Sequence, residues 1–363
     1  MHNYDIAPGV AVALASFKVP EKLGFGAVTA PVMYSAEYAD GQWSRGQLMP
    51  YGPIEVMPGA RVLHYAELVF EGLKAYRVGK AWPNLFRPLD NCERFARSAG
   101  RLSMPAVPEA LFMEALDGLA GTLSGIVPGK TGQALYLRPF LFGTESGYLI
   151  KNSTTFRFIV MANPVEAYTS GQMRVAIERE EVRAAVGGMG TAKASANYAA
   201  SLRATSAAVA RGYTVTLWLD AREQRYIQEL SGMNVFAVIN GELHTPTLDG
   251  AILAGITRDS LLRLARHRGH VVHERPMLID ELLGQIASGE CSEVFACGTA
   301  AIVSPIGVMA DKDGTEHAPK RTDVVAAELR EALLAIQERR APDPFGWTRD
   351  VAHPPVAAAA AAG

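Results

Sequence analysis

One short segment constrains this chain more than any other: Val186-Gly-Gly-Met-Gly-Thr-Ala-Lys193-Ala-Ser-Ala-Asn-Tyr198. Three glycines in four positions let the backbone approach another group closely or adopt a positive φ. They lead to Lys193 within a run of small residues, and a tyrosine follows five positions later. Such a lysine suits a cramped pocket, where burial favours the neutral amine that forms Schiff bases. A plain loop with a surface lysine is the simpler alternative. A Walker phosphate loop does not fit, because Ala194 follows the lysine.

The bulk composition limits the function classes. With 363 residues, the chain is too long for one ordinary core and predicts two domains. A net charge of −2 does not indicate a protein that binds DNA, RNA or an anionic membrane. The three cysteines, Cys92, Cys291 and Cys297, are too few and odd in number for a disulfide framework. They contain no C-x-x-C pair, so they indicate neither a zinc site nor a dithiol. Asp5 precedes the mildly apolar start, which argues against a signal peptide and for a cytoplasmic protein.

Two arginines in the first half are candidates for binding anions. Arg87 stands where a strand meets a Pro turn before a helix, and it can simply pair with Asp90 or Glu93. Arg138 lies in a predicted strand whose alternation places one set of residues on one face: Ala134, Tyr136, Arg138, Phe140 and Phe142. An arginine among aromatic residues suits a carboxylate pocket, because its fork binds both oxygens. A structural salt bridge is the alternative.

The second half adds one acid and two anion-binding turns. Glu229 is predicted at a strand end before Ser231-Gly232, where a glutamate is ordinarily a solvated rim charge. In Gly255-Ile-Thr-Arg-Asp-Ser260, Thr257 is expected to cap a helix that runs to about residue 267, and helix N-termini favour phosphate. In Glu293-Val-Phe-Ala-Cys-Gly-Thr-Ala300, a buried strand runs into a turn that carries the Thr299 hydroxyl. Each turn alone is an ordinary structural feature.

The sequence also predicts several local elements. Asp40-Gly41 is a hairpin signal, and Asn240-Gly241 is a type I′ hairpin signal. Asp90 is expected to cap a helix through Arg97, and an Ala-rich helix is expected over 197–210.

Taken together, these groups describe one cofactor. A lysine that holds an aldehyde, two turns and an arginine that hold a phosphate, and a carboxylate for a pyridine nitrogen match pyridoxal 5′-phosphate (PLP). A carboxylate beside the ring nitrogen keeps that nitrogen protonated, so that the ring can accept electrons.

The sequence resembles the branched-chain amino acid aminotransferases of the class IV, fold type IV PLP enzymes. The resemblance covers nearly the whole chain and is carried by seven ordered segments: Leu63-His-Tyr-Ala-Glu-Leu-Val-Phe-Glu-Gly72, Phe86-Arg-Pro88, Tyr136-Leu-Arg-Pro139, Gly187-Gly-Met-Gly190 with Lys193 and Asn197-Tyr198, Gly232-Met-Asn234, Gly255-Ile-Thr-Arg258, and Glu293-Val-Phe-Ala-Cys-Gly-Thr-Ala300. It implies an α+β (mixed α/β) fold with two domains and the cofactor at their interface. The expected boundaries are 1–165, a linker at 166–176, a PLP-binding domain at 177–350 and a disordered tail at 351–363.

The resemblance also implies a role for each candidate residue. Lys193 is the expected catalytic Schiff-base lysine, Tyr198 donates to the ring oxygen of PLP, and Glu229 pairs with the pyridine nitrogen. The phosphate is expected on Arg87, Ile256, Thr257 and Thr299. The α-carboxylate of the substrate is expected at Tyr65, Thr299 and Ala300. The side-chain pocket is expected to be lined by Phe70, Tyr136 and Tyr168, with Arg138 binding the γ-carboxylate of glutamate.

The implied reaction is ping-pong transamination of a branched-chain or other hydrophobic L-amino acid with 2-oxoglutarate, in a homodimer. Several positions depart from the family pattern and leave a specialised amino donor open: Ala194-Ser195-Ala196, Ala254, Ser231-Gly232, and Ala301 with Ser304 in place of the cysteines of a redox switch. The sequence also leaves open a D-amino acid aminotransferase, an aminodeoxychorismate lyase, or a non-catalytic relative that only binds a ligand.

Overall fold

The computed structural model describes residues 4–166, 171–320 and 324–353. The chain forms two compact units. The first comprises Met1–Ala167, Ala192–Ala196 and Ala335–Gly363, and the second comprises Tyr168–Thr191 and Asn197–Leu334. The Lys193 segment therefore belongs to the first unit. A strand begins at Met173, inside the stretch 166–176 expected as a linker. The boundaries 1–165 and 177–350 stay a prediction.

The first unit is built on one sheet with the strand order β1-β4-β2-β9-β8-β6-β7-β19, to which β3 adds beside β2 and β5 beside β8. Its elements are β1 (Tyr4–Ile6), α1 (Val10–Ser16), β2 (Val32–Ala39), β3 (Gln42–Trp43), β4 (Gly46–Pro50), α2 (Arg61–Tyr65), β5 (Leu68–Phe70), β6 (Leu73–Tyr76), β7 (Asn84–Phe86), α3 (Pro88–Arg101), α4 (Glu109–Thr122), β8 (Ala134–Gly143), β9 (Phe156–Val165) and, at the end of the chain, β19 (Thr348–Asp350).

Alternation along β8 separates the side chains that face the main core of this unit from those on the opposite face. Leu135, Leu137 and Leu141 are fully buried in the main hydrophobic core, together with Phe95 of α3 and Phe112 of α4. The opposite face carries Tyr136, Arg138 and the stacked pair Phe140 and Phe142, as the period-two pattern predicts. The prediction for this strand is confirmed.

The second unit is built on a sheet with the order β12-β11-β10-β17-β16-β13-β14-β15, and β18 adds beside β17. Its elements are β10 (Met173–Glu178), α5 (Ser195–Ala200, which starts in the first unit), α6 (Leu202–Ala210), β11 (Val215–Leu219), β12 (Ile227–Leu230), β13 (Asn234–Ile239), β14 (Glu242–Pro246), α7 (Ile256–His267), β15 (Val272–Arg275), α8 (Ile279–Ser288), β16 (Cys291–Gly298), β17 (Ile302–Ala310), β18 (Glu316–His317) and α9 (Val324–Gln337).

The residues at the two central turn positions determine both predicted hairpins. Asp40 and Gly41 join β2 to β3 with φ of 53° and 78°, and Asn240 and Gly241 join β13 to β14 with φ of 51° and 82°. Positive φ at both central residues is the requirement of a type I′ turn, which Asp-Gly and Asn-Gly meet. Both predictions are confirmed.

Three local predictions are wrong. The helix expected over 197–210 is broken at Ser201, whose hydroxyl donates to the Tyr198 carbonyl at 2.8 Å and closes the turn early. Helix α7 begins at Ile256 with Gly255 as its N-cap, so Thr257 lies inside the first turn. Asp90 is likewise inside α3, whose N-cap is Arg87 in a left-handed conformation. Among the described ranges, we find no helix long and apolar enough to cross a bilayer.

Candidate functional site

Lys193 is held by the backbone of the first unit. Its N–H donates to the Ser98 hydroxyl on α3 at 3.0 Å, and its carbonyl accepts the Phe70 N–H at 3.0 Å. The flanking residues Ala192 and Ala194 are 4% and 0% exposed and pack into the core. Larger side chains at these two positions would overpack that core, so the small neighbours of Lys193 have a structural cause.

The ring of Phe70 brings two of the predicted cationic groups together. The Lys193 Nζ lies 4.9 Å from the ring centroid, and the Arg138 guanidinium carbon lies 4.8 Å from the same centroid. Arg138 also donates from Nη2 to the Tyr136 hydroxyl at 3.0 Å. Its buried Nε has no hydrogen-bond partner within the described part of the chain. An N–H in that state is costly unless a ligand oxygen accepts from it.

The position of Tyr136 depends on a close approach to Gly72. A Cβ at residue 72 would lie 1.9 Å from the Tyr136 hydroxyl oxygen, so only glycine fits beside this tyrosine. Phe25 meets the Tyr136 ring edge to face, with centroids 5.2 Å apart. Neither Phe25 nor Ser98 was predicted from the sequence. Both lie in segments without a motif, and only the fold brings them to Tyr136 and Lys193.

Two other predicted residues of the first unit have different surroundings. Tyr65 is 42% exposed at the end of α2, and its hydroxyl donates to the Tyr148 carbonyl at 2.6 Å. Arg87 is 4% exposed and makes a two-bond pair with Asp90, at 3.0 Å from Nε and 2.5 Å from Nη2. The simpler role expected for Arg87, a pair with Asp90, is therefore present in the structure. Its guanidinium also covers the Trp347 ring at 5.2 Å.

Glu229 is a buried carboxylate of the second unit, only 5% exposed, so the ordinary expectation of a solvated rim charge is wrong. Its Oε1 pairs with Arg183 Nη2 at 2.9 Å, and its Oε2 accepts from Asn234 Nδ2 at 3.1 Å. Burying a carboxylate is costly unless it is paired and hydrogen-bonded, and both conditions are met here. Each oxygen is held by a different neighbour, which fixes the plane of the carboxylate.

Arg183 is a buried neighbour of Glu229 that was not predicted from the sequence. The same Nη2 that pairs with Glu229 also donates to the carbonyls of Gly190 and Ala251. It therefore links the glycine-rich loop, the segment before α7 and the buried acid. The available signal was a lone arginine directly before that loop, in Val182-Arg-Ala-Ala-Val186.

Asn234 connects Glu229 to the start of α7. Its Nδ2 donates to the Leu253 carbonyl at 3.0 Å as well as to Glu229. A Cβ at Gly255, the N-cap, would lie 2.0 Å from Asn234 Oδ1, so glycine is required there. No side-chain cap hydrogen bond closes this helix, and Ile256 and Thr257 present the first N–H groups of a 12-residue helix. A helix start of this kind is suited to an anion.

The remaining candidates of the second unit lie near these elements along the chain. Thr299 and Ala300 are partly exposed in the turn directly after β16, and β16 pairs with β13 so that Cys297 faces Asn234. Tyr198 is partly exposed in α5. Tyr168 lies outside the described residues. Burial raises the pKa of the Cys297 thiol to about 12, Arg258 opposes this shift and Glu229 adds to it.

Comparisons with known proteins agree with the resemblance drawn from the motifs. A family model described as amino-transferase class IV matches residues 68–308. The branched-chain-amino-acid aminotransferase of Mycobacterium tuberculosis is 44% identical over 334 residues, which cover 89% of this chain and 91% of that protein. The branched-chain-amino-acid transaminase 1 of Bacillus subtilis is 40% identical over 338 residues, which cover 92% of this chain and 95% of that protein.

Solved structures give the same answer for the fold. The T.th. branched-chain amino acid aminotransferase complexed with N-(5′-phosphopyridoxyl)-L-glutamate superposes with a TM-score of 0.70 at 30% identity, over 87% of this chain and 98% of that chain. The branched-chain amino acid aminotransferase from Escherichia coli gives 0.68 at 27% identity, over 87% and 99%. The predicted mixed α+β fold is confirmed. Since the family model, full-length relatives and solved structures agree, the chain belongs to the branched-chain-amino-acid aminotransferases of amino-transferase class IV.

Proposed function

We propose that this protein is a PLP-dependent transaminase that moves the amino group of a branched-chain or other hydrophobic L-amino acid to 2-oxoglutarate. The observation that carries the proposal is the group around Phe70, where an amine and a guanidinium share one aromatic ring. Apolar surface from Phe70 and Tyr136 suits an aliphatic side chain, and the unpartnered Nε of Arg138 suits the γ-carboxylate of glutamate. One pocket with both features accepts both partners of the reaction.

The residues present fit the cofactor. Gly255 lets the start of α7 lie directly against the Asn234 side chain, where a Cβ would clash, and the N-terminus of this helix suits a phosphate. The proposed PLP-binding residues are Arg87, Lys193, Tyr198, Glu229, Ile256, Thr257 and Thr299. When bound, PLP supplies an aldehyde for the amine and a ring that takes up the electrons left on Cα.

The protein's own groups do the rest of the chemistry. The Lys193 amine would move the proton from the substrate Cα to the aldehyde carbon of the cofactor, and would move it in the reverse direction when the second substrate reacts. Glu229, fixed by Arg183 and Asn234, keeps a proton on the ring nitrogen by offering a negative charge in a buried place. The 2-oxo acid leaves before 2-oxoglutarate binds, so the kinetics are expected to be ping-pong.

The substrate contacts are part of the same proposal. Tyr65, Thr299 and Ala300 receive the α-carboxylate, and Phe70, Tyr136 and Tyr168 line the side-chain pocket with Arg138 at its polar end. We further propose a cytoplasmic homodimer, and light scattering on the eluting holoenzyme tests the dimer directly.

An amino-donor screen with 2-oxoglutarate as acceptor tests the substrate class. We expect L-valine, L-leucine and L-isoleucine to be good donors, and D-leucine to be inactive. If all three L-amino acids are poor donors while another amino acid works, the specialised alternative replaces this proposal. Activity with D-leucine alone would indicate a D-amino acid aminotransferase.

The variant Lys193→Ala tests the assigned amine. We expect the purified protein to be yellow with bound PLP, and we expect the variant to lose both this visible band and the turnover. Lys130→Ala, at an exposed position of the same unit, is the matched control and keeps both. A colourless wild-type protein that gains no band with added PLP would favour the non-catalytic relative.

A further inference from the structure

A second cluster of reactive side chains lies at the edge of the second unit's sheet. Strands β14 and β15 pair in parallel there, with His244 opposite His273. Glu242 lies two residues before His244, so the two side chains share one face of β14. The three positions belong to neighbouring strands of one ladder, which holds their Cα atoms in a fixed relation.

The side chains of these residues converge. The His273 Nε2 lies 2.7 Å from the Glu242 Oε2, and the rings of His244 and His273 stack with centroids 4.6 Å apart and an interplanar angle of 22°. One ligand atom from each of the three residues lies within 4.8 Å of the others. His244 is 8% exposed, whereas Glu242 and His273 are partly open to solvent. One side of the cluster, at His244, is therefore buried, and the other side can be reached from solvent.

Two imidazoles and one carboxylate are a donor set for borderline divalent metals. Zn²⁺ binds histidine nitrogen and carboxylate oxygen at about 2.0–2.2 Å and keeps water in an open fourth position. Calcium and magnesium prefer all-oxygen ligands and do not match. We propose that Glu242, His244 and His273 bind one divalent transition-metal ion of the Zn²⁺ type, with water completing its coordination.

Arg275 would compete with this ion for His244. Its Nε donates to the His244 Nδ1 at 3.1 Å, so it occupies the lone pair that a metal at this nitrogen needs. Binding through Nδ1 requires the guanidinium to leave His244, and the two stacked rings must tilt toward a common point. Arg275 is near the rim, and its Nη1 already reaches the Pro276 carbonyl at 3.3 Å, which gives it another acceptor.

The ion would clamp β14 to β15 beside the anchor of α7. Arg258 of that helix donates from Nη2 to the Pro246 carbonyl of β14 at 2.8 Å and to Glu274 of β15 at 3.0 Å. Both acceptors lie within two residues of the cluster. We therefore expect the ion to stabilise this edge of the sheet, independently of the transamination reaction.

Competition with a chromophoric zinc chelator on tag-free holoenzyme tests the site. We expect one Zn²⁺ per chain with micromolar or tighter affinity, and a higher Tm in its presence. His273→Ala and Glu242→Gln should each weaken binding by about 10–100-fold. Arg275→Met should strengthen it, since the competing cation is gone.

His270→Ala is the matched control, because His270 pairs with the Glu328 carboxylate at 3.3 Å without a second imidazole. We expect it to bind Zn²⁺ like the wild type. The visible band of the cofactor is followed in the same titration, so that metal bound at PLP is recognised by a spectral change that persists in His273→Ala. Absence of saturable binding, or binding that is unchanged in the Glu242→Gln/His273→Ala double variant, would overturn the proposal.

Discussion

Within residues 4–166, 171–320 and 324–353, each unit contains one glutamate–arginine pair in which both side chains are buried, and the two pairs are built differently. Glu71 and Arg94 in the first unit form a fork, with Nε to Oε1 at 2.7 Å and Nη2 to Oε2 at 2.8 Å. In the second unit, Oε1 of Glu229 pairs with Arg183, and Oε2 accepts a hydrogen bond from Asn234. Both acids are buried, at 0% and 5% exposure.

The difference indicates different tasks. The Glu71–Arg94 fork joins the segment after β5 to α3, the helix whose Ser98 holds the Lys193 N–H. The two parallel hydrogen bonds of this fork fix the position of Glu71 relative to α3, so its role is structural. Glu229 is held by two neighbours, Arg183 and Asn234, and each of these is itself fixed by hydrogen bonds to backbone carbonyls. That arrangement orients a carboxylate, which is what the proposed contact with the ring nitrogen needs.

The largest effect is expected from breaking the fork. Glu71→Gln removes the negative charge that faces the buried Arg94 guanidinium in this fork, and removing one partner of a buried pair costs about 3–5 kcal/mol. Urea denaturation of the holoenzyme measures this loss of unfolding free energy. Glu93→Gln is the control on the same helix, because its side chain is 73% exposed. A loss as small as that of the control would mean that the fork does not stabilise the unit.

Glu229→Gln should act on the reaction more than on the fold. An amide cannot hold the ring nitrogen protonated as a carboxylate does, so we expect kcat to fall by about 10²–10³-fold, comparable to the loss of one preorganised electrostatic contact. Unfolding free energy should fall less than in Glu71→Gln, because Arg183 keeps the Gly190 and Ala251 carbonyls as acceptors. Glu223→Gln, at an exposed turn, serves as the control. Equal stability losses without a kinetic defect would make the two pairs equivalent.

The sequence was sufficient to predict several regular parts of the fold and the family of the protein. Alternation along 133–142 predicted which face of β8 is core, because side chains of a strand point to opposite sides. Asp40-Gly41 and Asn240-Gly241 predicted their turns, because few residues accept positive φ at both positions. The motifs around Lys193 and Gly255 led to the family, which the comparisons confirm.

Burial and long-range pairing could not be predicted in this way. Glu229 looked like a rim charge because its partner Arg183 lies far earlier in the sequence, and nothing local indicates the pair. Thr257 looked like a helix cap because hydroxyls usually take that position, yet Gly255 takes it because the Asn234 side chain leaves no space for a Cβ. Ser98 and Arg94 are polar residues on a helix whose roles depend on what packs against it.

Asn234 gives a finer comparison within the second pair. Asn234→Ala removes one hydrogen bond to Glu229 and leaves the Leu253 carbonyl without this donor, which costs about 1–3 kcal/mol. We expect kcat to fall by less than in Glu229→Gln, since the charge remains and only its orientation loosens. Asn234→Asp should be worse than the alanine variant, because it puts a like charge against Glu229. An aspartate variant that is as active as wild type would contradict the orienting role.

The cysteines allow the two regions to be compared in one labelling experiment. Cys92 lies on α3 near Glu71, and Cys297 lies on β16 near Glu229. Burial raises the pKa of the Cys92 thiol to about 11 and that of the Cys291 and Cys297 thiols to about 12. All three are buried and free, so we expect slow alkylation in the native holoenzyme near pH 8.

The variants should change this labelling selectively, and this is the smallest effect we expect to measure. Glu71→Gln loosens the surroundings of Cys92 and should speed its alkylation several-fold, while Glu229→Gln should act on Cys297, with Cys291 as the internal reference. The same three thiols also make the stability of the fold depend on pH. Their folded pKa values lie above the ordinary 9.0, so the unfolded chain loses protons first and stability falls as pH rises above about 9. Mass spectrometry of the alkylated peptides measures each site separately. Uniform acceleration at all three cysteines in either variant would mean that the two pairs stabilise the whole molecule and not their own regions.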